Sequence, residues 1–358
     1  MNPAIRIQLR RLAIIFSIAL LIFLFGLSSK AVEMMYSDGF YQWSSVAQRF
    51  ISAIFPFALG DFLYAVLIIY CLWSVFKVIK RAARKQLTAA DRMIIPIQLI
   101  SFFLILYIVF KLLWGLNYSR PSISVRLGIS DEKYTTKDLV ELGSFLVKRV
   151  NMLDQQRKNQ REKYDVTALK QNAKIAYDLL AKSNPFFKYS VPAVKPVMFS
   201  WFVSKIGIEG YYCPLSGEAN INMRLPYMDL PFVTSHEISH TLDIAREDEA
   251  NLVGYLVAIN SDDPIFRYSA AYAMLRSILF EIRVKSPDDF DRLFKTINPA
   301  TIKDFETDKK FWQAYNGNMS EYFGAIFDRF LKLNDQPKGT DSYQDIVMWL
   351  YNIHKKDI

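Results

Sequence analysis

Three long apolar runs in the first third of the chain limit its fold more than any other feature of the sequence. They cover residues 12–29, 60–76 and 93–113. At ~1.5 Å per helical residue, runs of this length approach or match the ~30 Å hydrocarbon core of a bilayer. The first run lacks a small-residue cleavage site and precedes two others, so we expect an anchor and not a signal peptide. The sequence therefore predicts a transmembrane region with three spans at residues 1–118.

Basic residues flank these runs unevenly, and this asymmetry predicts the orientation. The segment before the first run and the loop between the second and third are rich in lysine and arginine. Because such flanks remain in the cytoplasm, we expect a cytoplasmic N-terminus and an extracytoplasmic region at residues 119–358. The basic flanks also disfavour the alternative, in which the apolar runs are buried helices of a soluble core. Trp114 and Tyr118 are expected in the aromatic belt at the membrane interface.

The net charge of +9 follows from this topology. Residues 1–118 hold 12 basic and 4 acidic residues, a surplus of 8, which leaves a surplus of only 1 for the remaining 240 residues. A nucleic-acid-binding protein carries its surplus of basic residues on the folded domain, where this chain has almost none. We therefore expect the lipid bilayer as a partner, and no nucleic acid. Cys71 lies in the second run and Cys213 is alone in the outer region, so no disulfide is expected within that region.

One stretch of the outer region has residue types and spacing that favour a specific chemistry. In the segment HEISH, His236 and His240 lie one helical turn apart on the same face, with Glu237 beside them. This is the HExxH arrangement of zinc peptidases, in which the glutamate polarises a water molecule on the metal. The motif also occurs by chance on ordinary amphipathic helices. However, the chain has only three histidines, and two of them are in this motif.

A catalytic zinc ion usually has three protein ligands, so a third is needed nearby. Glu247 is the candidate, because Glu249 lies about 200° round the same helix and cannot also face the metal. Asn251, one turn after Glu247, is expected to orient a ligand histidine. The short connection requires a sharp turn near Asp243, a residue type that tolerates the left-handed conformation. Gly254 would let the two ligand helices pack closely.

Five short motifs carry a resemblance to a known family. They are WGLNY at 114–118, VKP at 194–196, GYYCP at 210–214, GEAN at 217–220, and HEISH followed by AREDEAN. Over nearly its full length the chain resembles a family of bacterial membrane proteins of unknown function with three N-terminal spans and a gluzincin-like domain. The resemblance implies a multi-pass protein of the cytoplasmic membrane that binds Zn²⁺, and it implies no particular substrate. The family commonly has a glycine at the position of Asp243.

Beyond residue 119, the hydrophobic periodicity predicts a mainly helical region with one small sheet. Strands are predicted at 197–202, 208–213 and 219–223. We therefore expect an α+β fold, in which three transmembrane helices precede a mainly helical, zincin-like domain with a small antiparallel sheet. Zincin domains hold an extended substrate on the edge strand of such a sheet, and the candidate edge is Ala219, Asn220, Ile221 and Asn222. In the alternative, these residues form a hairpin that only covers the core.

The leading interpretation is a membrane-anchored zinc metallopeptidase. His236, His240 and Glu247 would hold Zn²⁺, which lowers the pKa of its water toward ~7. Glu237 would take the proton of this water and pass it to the leaving amine. The expected substrates are peptides or proteins of the cell envelope.

A further side chain is expected to stabilise the oxyanion that forms during hydrolysis. Tyr343 is the candidate, because it lies in a loop that could fold back over the site. Tyr211, Tyr322, Arg224 and His354 are also available for this role, although His354 is expected at the surface.

The rival interpretation is a non-catalytic envelope protein, in which the same domain binds a partner, senses a ligand or keeps a metal only for folding. A closed metal site distinguishes the two, because a catalytic site keeps one coordination position open. Closure by Asp243 or Cys213 as a fourth ligand would favour the non-catalytic protein.

Overall fold

The computed structural model describes residues 2–157, 164–339 and 345–358, and this part of the chain is mostly helical. The three strands are β1 (Val194–Pro196), β2 (Gly210–Cys213) and β3 (Glu218–Ile221). A π-helical segment, Val32–Phe40, connects α2 to α3. The helices are α1 (Pro3–Gly26), α2 (Ser29–Ala31), α3 (Tyr41–Ala53), α4 (Leu59–Ala83), α5 (Asp91–Leu113), α6 (Ile123–Leu127), α7 (Thr136–Gln156), α8 (Val166–Ala181), α9 (Ser200–Lys205), α10 (Leu230–Thr241), α11 (Glu247–Ile259), α12 (Pro264–Lys285), α13 (Pro287–Phe294), α14 (Pro299–Tyr315), α15 (Asn318–Leu333) and α16 (Asp345–His354).

Three helices of the described chain, α1, α4 and α5, are long and apolar enough to cross a membrane. The prediction of three apolar N-terminal helices is therefore confirmed. The helices extend beyond the apolar runs, since α1 begins at Pro3 and α4 continues to Ala83. Lysine and arginine are good helix formers, so the basic flanks continue the helices.

The connection between α1 and α4 packs against the large C-terminal region. The Gln48 side-chain amide donates a hydrogen bond to the carbonyl of Pro214 at 2.7 Å, and Arg49 donates one to the carbonyl of Thr241 at 3.2 Å. Tyr41 is fully buried in the same contact. This connection and the C-terminal region therefore lie at the same end of the three apolar helices, and the short loop between α4 and α5 lies at the other end.

The sheet is mixed, with the strand order β1-β3-β2. β3 pairs with β1 in parallel and with β2 in antiparallel orientation. The prediction of an antiparallel sheet is therefore only half right. The predicted strand 197–202 is also wrong, because the strand ends at Pro196 and α9 begins at Ser200.

The candidate edge strand occupies the centre of the sheet. Ala219, Asn220 and Ile221 lie in β3, between the other two strands, and together with Asn222 they are buried. The prediction that these four residues form a substrate-binding edge is therefore wrong. A strand that is buried on both faces lacks the alternation of polar and apolar residues that separates an edge from a centre in sequence.

Helices α10 and α11 lie in the middle of the C-terminal region. They pack against each other, against α8 and α12, and α10 also packs against the sheet. Every residue of α10 except Phe232 is buried. A helix that is buried on all sides holds its side chains in fixed positions.

Candidate metal centre

The two helices that carry the HExxH motif and Glu247 are joined by the sharp turn that the sequence predicts. Asp243 has φ +69°, in the left-handed region. Its buried carboxylate forms an ion pair with Arg120 and accepts a hydrogen bond from Gln42 at 3.3 Å. The pair with Arg120 holds this turn, which an aspartate adopts less readily than a glycine.

Three side chains from these helices converge on one point. His236 Nε2 lies 3.2 Å from His240 Nε2 and 3.2 Å from Glu247 Oε2. His240 Nε2 lies 3.8 Å from the same carboxylate oxygen. Ligands of a tetrahedral zinc ion lie about 3.3 Å apart, given metal–ligand distances near 2.0–2.1 Å. The spacing therefore fits a single metal ion, and His236, His240 and Glu247 are the group that could hold one within the described residues.

The hydrogen bonds behind the two imidazoles leave their lone pairs pointing at this common centre. His240 Nδ1 lies 2.6 Å from the carbonyl oxygen of Ile244, which can only accept, so Nδ1 carries the proton. His236 Nδ1 faces the side-chain oxygen of Asn251 at 2.9 Å. Both Nε2 atoms of the neutral rings are then unprotonated and suited to bind a metal. Asn251 therefore contacts the His236 ring, and its role behind a metal ligand stays a prediction.

The charges at the centre also favour a cation. Burial lowers the pKa of His240, but the attraction and hydrogen bond of Glu247 outweigh it and raise this pKa to about 9. The two histidines in turn hold the pKa of Glu247 below its usual range, despite its burial. The carboxylate of Glu247 therefore attracts positive charge to the two imidazoles, and a divalent cation bound between them would supply such charge.

Glu237 lies beside the ligand group with one oxygen free. It is buried, and its Oε2 has no hydrogen-bond partner in the structure. Burial raises the pKa of Glu237 to about 7, against the opposing charges of His236 and His240. A buried carboxyl group with a free oxygen and a pKa near neutrality is suited to accept and release a proton.

Neither proposed fourth ligand closes the centre. Asp243 forms an ion pair with Arg120, and Cys213 lies against α4, where a β-carbon at Gly60 would approach its sulfur to 2.5 Å. Within the described residues, the ligand group consists of the two histidines and Glu247. A metal ion held by these three residues would therefore keep a fourth coordination position for a water molecule.

The comparisons with known proteins identify one family. A family described as protein of unknown function (DUF3810) matches residues 36–351. The chain belongs to this family. No curated protein and no solved structure matches the chain significantly. The DUF3810 match begins after α1 and ends in α16, so it includes two apolar helices and the whole metal centre.

In this member of the DUF3810 family, Trp114 and Tyr118 do not lie where the sequence predicts them, at the membrane interface. Trp114 and Tyr118 do not form an aromatic belt, because both are buried, Trp114 against α10 and Tyr118 against Trp114 and Phe330. The indole of Trp114 donates a hydrogen bond to the carbonyl of His240 at 3.1 Å, and its ring lies edge-on to the His240 ring at 5.7 Å. Burial and the charge of Glu247 raise the pKa of Tyr118. The prediction that these two residues of the WGLNY motif lie in an aromatic belt is therefore wrong.

A cavity of about 790 Å³ adjoins the metal centre. Its walls include the three ligand residues, Glu237 and Asn251, together with Tyr118, Tyr211 and Arg276. Arg276 is held by carboxylates, with Asp308 at 2.7 Å and Asp229 at 3.4 Å. Tyr343, the predicted oxyanion-stabilising residue, lies outside the described residues. Tyr211, which the sequence also offers for this role, lines the cavity.

His354 is not the surface residue that the sequence predicts. It is buried, and its Nε2 lies 2.7 Å from the Tyr255 hydroxyl. The last helix of the domain packs against α11 and α7, and this contact covers the imidazole. His354 is therefore a core residue with its own partners, separate from the ligand group.

Gly254 places the two ligand helices in close contact, as predicted. A β-carbon at this position would lie 3.0 Å from both the backbone nitrogen and the α-carbon of His236.

Gly254→Ala is expected to lower the free energy of unfolding by about 1–3 kcal/mol, because the backbone of α10 must shift. Thermal unfolding of the full chain in detergent measures this change. Gly324→Ala is the matched control, since a β-carbon there meets no atom within 4 Å; equal unfolding temperatures for the two variants would contradict the prediction.

Proposed function

We propose that the chain is a membrane-anchored zinc metallopeptidase with a zincin-like domain outside the cytoplasm. The observation that supports this proposal most directly is the convergence of His236, His240 and Glu247. Two imidazole nitrogens and one carboxylate oxygen converge at distances suited to a zinc ion, beside a buried carboxyl group with a free oxygen. A metal that served only for folding would need no such free acceptor, and the adjoining cavity is large enough for a peptide segment.

Each residue of the centre has a distinct role in this proposal. His236, His240 and Glu247 would hold the ion, and Asn251 fixes the orientation of His236. A bound zinc ion would supply Lewis-acid chemistry, which brings the pKa of water toward ~7. Glu237 would accept the proton of the attacking water at its free carboxylate oxygen and deliver it to the leaving amine.

The strand suited to hold an extended substrate is β2, which lies at an edge of the sheet. The carbonyl of Glu209 accepts a hydrogen bond from the amide of Asn222 at 3.0 Å. Because antiparallel pairs alternate, the backbone groups of Gly210 and Tyr212 point away from β3 and are available to a peptide. A side chain at Gly210 would lie 2.8 Å from Glu237, so this edge runs directly beside the proposed base.

The location in the bacterial cytoplasmic membrane rests on the charge of the loops. Lysine and arginine concentrate in the N-terminal segment and in the loop between α4 and α5, at the end of the apolar helices opposite the metal centre. The positive-inside rule assigns that end to the cytoplasm. The metal centre would then face the cell envelope, and its substrates would be envelope peptides or proteins.

Metal removal tests the proposal. The purified full chain in detergent is incubated with a mixture of unstructured peptides, and the cleavage products are identified by mass spectrometry. We expect cleavage by the zinc-loaded protein, its loss after a chelator removes the metal, and its return when about one equivalent of zinc is added. Cleavage that persists in the metal-free protein would contradict the proposal, as would zinc-loaded protein that cleaves none of the peptides.

A further inference from the structure

Part of the wall of the cavity beside the candidate metal centre, called the cavity floor below, comes from the apolar helices α4 and α5. Tyr64 of α4 and Phe110 of α5 line the same cavity as His236 and Glu237. Tyr64 lies near the start of α4, and Phe110 lies in the last turn of α5. These are the ends of the two helices nearest the C-terminal region. In a membrane, the cavity floor would therefore lie at the level where the helices leave the hydrocarbon core.

The first exposed apolar segment beside this cavity surrounds the start of α9. Phe199 and Trp201 expose 59% and 57% of their surface, and Met198 and Phe202 are also exposed. The backbone amide of Met198 donates a hydrogen bond to the carboxylate of Asp61 at 2.7 Å, in the first turn of α4. This bond places the segment at the start of α4, one of the three helices that are long and apolar enough to cross a membrane.

The second exposed apolar segment is one face of α15. Tyr322, Phe323, Ile326, Phe327 and Phe330 follow helical spacing and lie on one side of the helix. Tyr322 and Ile326 expose 73% and 61% of their surface. Three members of this face, Phe323, Phe327 and Phe330, also line the cavity. An apolar stripe with polar residues opposite is typical of a helix that lies in a membrane interface.

Helix α15 contacts α5 near its C-terminal end and α9 near its N-terminal end. At its C-terminal end, Phe330 contacts Phe110 with ring centroids 5.7 Å apart, and Lys111 donates a hydrogen bond to Asn334 at 3.1 Å. Near its N-terminal end, Phe323 contacts Phe202, with centroids 6.3 Å apart. The helix therefore extends from α9 to the end of α5, along one side of the cavity.

We propose that α9 and the apolar face of α15 rest in the lipid headgroup region, so that the metal centre takes its substrates from the membrane surface. The occupant of this apolar surface is the bilayer itself, because both segments contact the ends of the proposed membrane helices. The substrate class is then a peptide segment close to the membrane, within a polypeptide that is anchored in the same bilayer. This substrate class rests on the proposed peptidase function; the lipid contact does not.

The lipid contact is tested without any measurement of hydrolysis. Nitroxide labels are attached to Ile326→Cys or Trp201→Cys in the full chain, with Cys71 and Cys213 replaced by alanine. The protein is reconstituted in vesicles of phosphatidylethanolamine and phosphatidylglycerol, and the access of oxygen and of a water-soluble nickel complex to the label is compared. Met152→Cys is the matched control, because Met152 is 52% exposed on α7, which packs against α12, α13, α14 and α16. We expect lipid-like access at 326 and 201 and water-like access at 152; water-like access at all three would overturn the proposal.

The substrate class is tested with one peptide sequence in two forms, soluble and attached to a lipid in the same vesicles. In the double variant Trp201→Ser, Ile326→Ser, we expect roughly tenfold slower cleavage of the lipid-attached form, since each of the two segments loses an exposed apolar side chain. Cleavage of the soluble form should remain within about twofold, because neither side chain lines the cavity. Equal changes for both forms would overturn the proposed substrate class. Wild-type protein that cleaves neither form would contradict the peptidase function, while the nitroxide result still decides the lipid contact.

Discussion

Glu237→Gln is expected to lower the rate of peptide hydrolysis by a factor of about 10²–10⁴, the usual contribution of a general base, while the metal content stays unchanged. Glutamine has the same shape as glutamate but does not accept a proton at neutral pH. The carboxylate is not a member of the ligand group, and its Oε2 bonds no other residue. The substitution therefore removes the proton acceptor and leaves the ligands in place.

The measurement compares initial rates on one cleaved peptide with the zinc content of the same samples. Glu249→Gln is the matched control, because Glu249 is also a buried glutamate of α11 but is not in the group that could hold a metal ion. Its carboxylate accepts a hydrogen bond from the backbone amide of Ile123 at 3.0 Å. A Glu237→Gln protein that contains zinc and retains the wild-type rate would exclude Glu237 as the base.

Local sequence predicted the parts of the candidate site that depend on local geometry. Helical spacing fixes His236 and His240 on one face, and the same spacing separates Glu247 from Glu249. The turn at Asp243 and the close packing at Gly254 follow from the steric properties of single residues. Only the short turn between α10 and α11 separates these parts in the chain. Their relative position could therefore be predicted from the sequence.

The parts that depend on distant contacts were not predicted. The order of strands in a sheet depends on which segments meet in three dimensions, and the four-residue β3 has no periodicity that identifies it as central. Trp114 has the position of an interfacial aromatic residue in the sequence. Only the fold shows that α10 ends beside it and that its indole bonds to the last turn of that helix.

The end of α10 connects the apolar N-terminal region to the candidate metal centre. The last carbonyls of a helix have no partner within it, and here side chains of the N-terminal region supply partners. Trp114 and Tyr41 reach the carbonyl of His240 at 3.1 and 3.3 Å, and Arg49 donates to that of Thr241 at 3.2 Å. The positive charge of Arg49 also suits the negative end of the helix dipole. The ligand helix is therefore held by the apolar region as well as by its own domain.

Replacement of any one ligand is expected to remove the metal. In His240→Ala, zinc should fall from about one ion per chain to background, because only two protein ligands would remain where catalytic zinc sites use three. Asn251→Ala removes the partner of the His236 ring and no ligand, so its zinc affinity should fall by a smaller factor, about 10–100. Elemental analysis of the purified full chain measures the metal content, and competition with a zinc-binding dye measures the affinity.

The third histidine of the chain supplies the control for this series. His354 is also buried, and its ring bonds to Tyr255 and Asp357 rather than to the ligand group. His354→Gln should therefore keep its zinc even if the substitution lowers the stability of the fold. A gradation from wild type and His354→Gln through Asn251→Ala to His240→Ala would separate loss of a ligand from general destabilisation. Equal zinc in the wild type and His240→Ala would instead show that the metal binds elsewhere, and the peptidase mechanism would lose its basis.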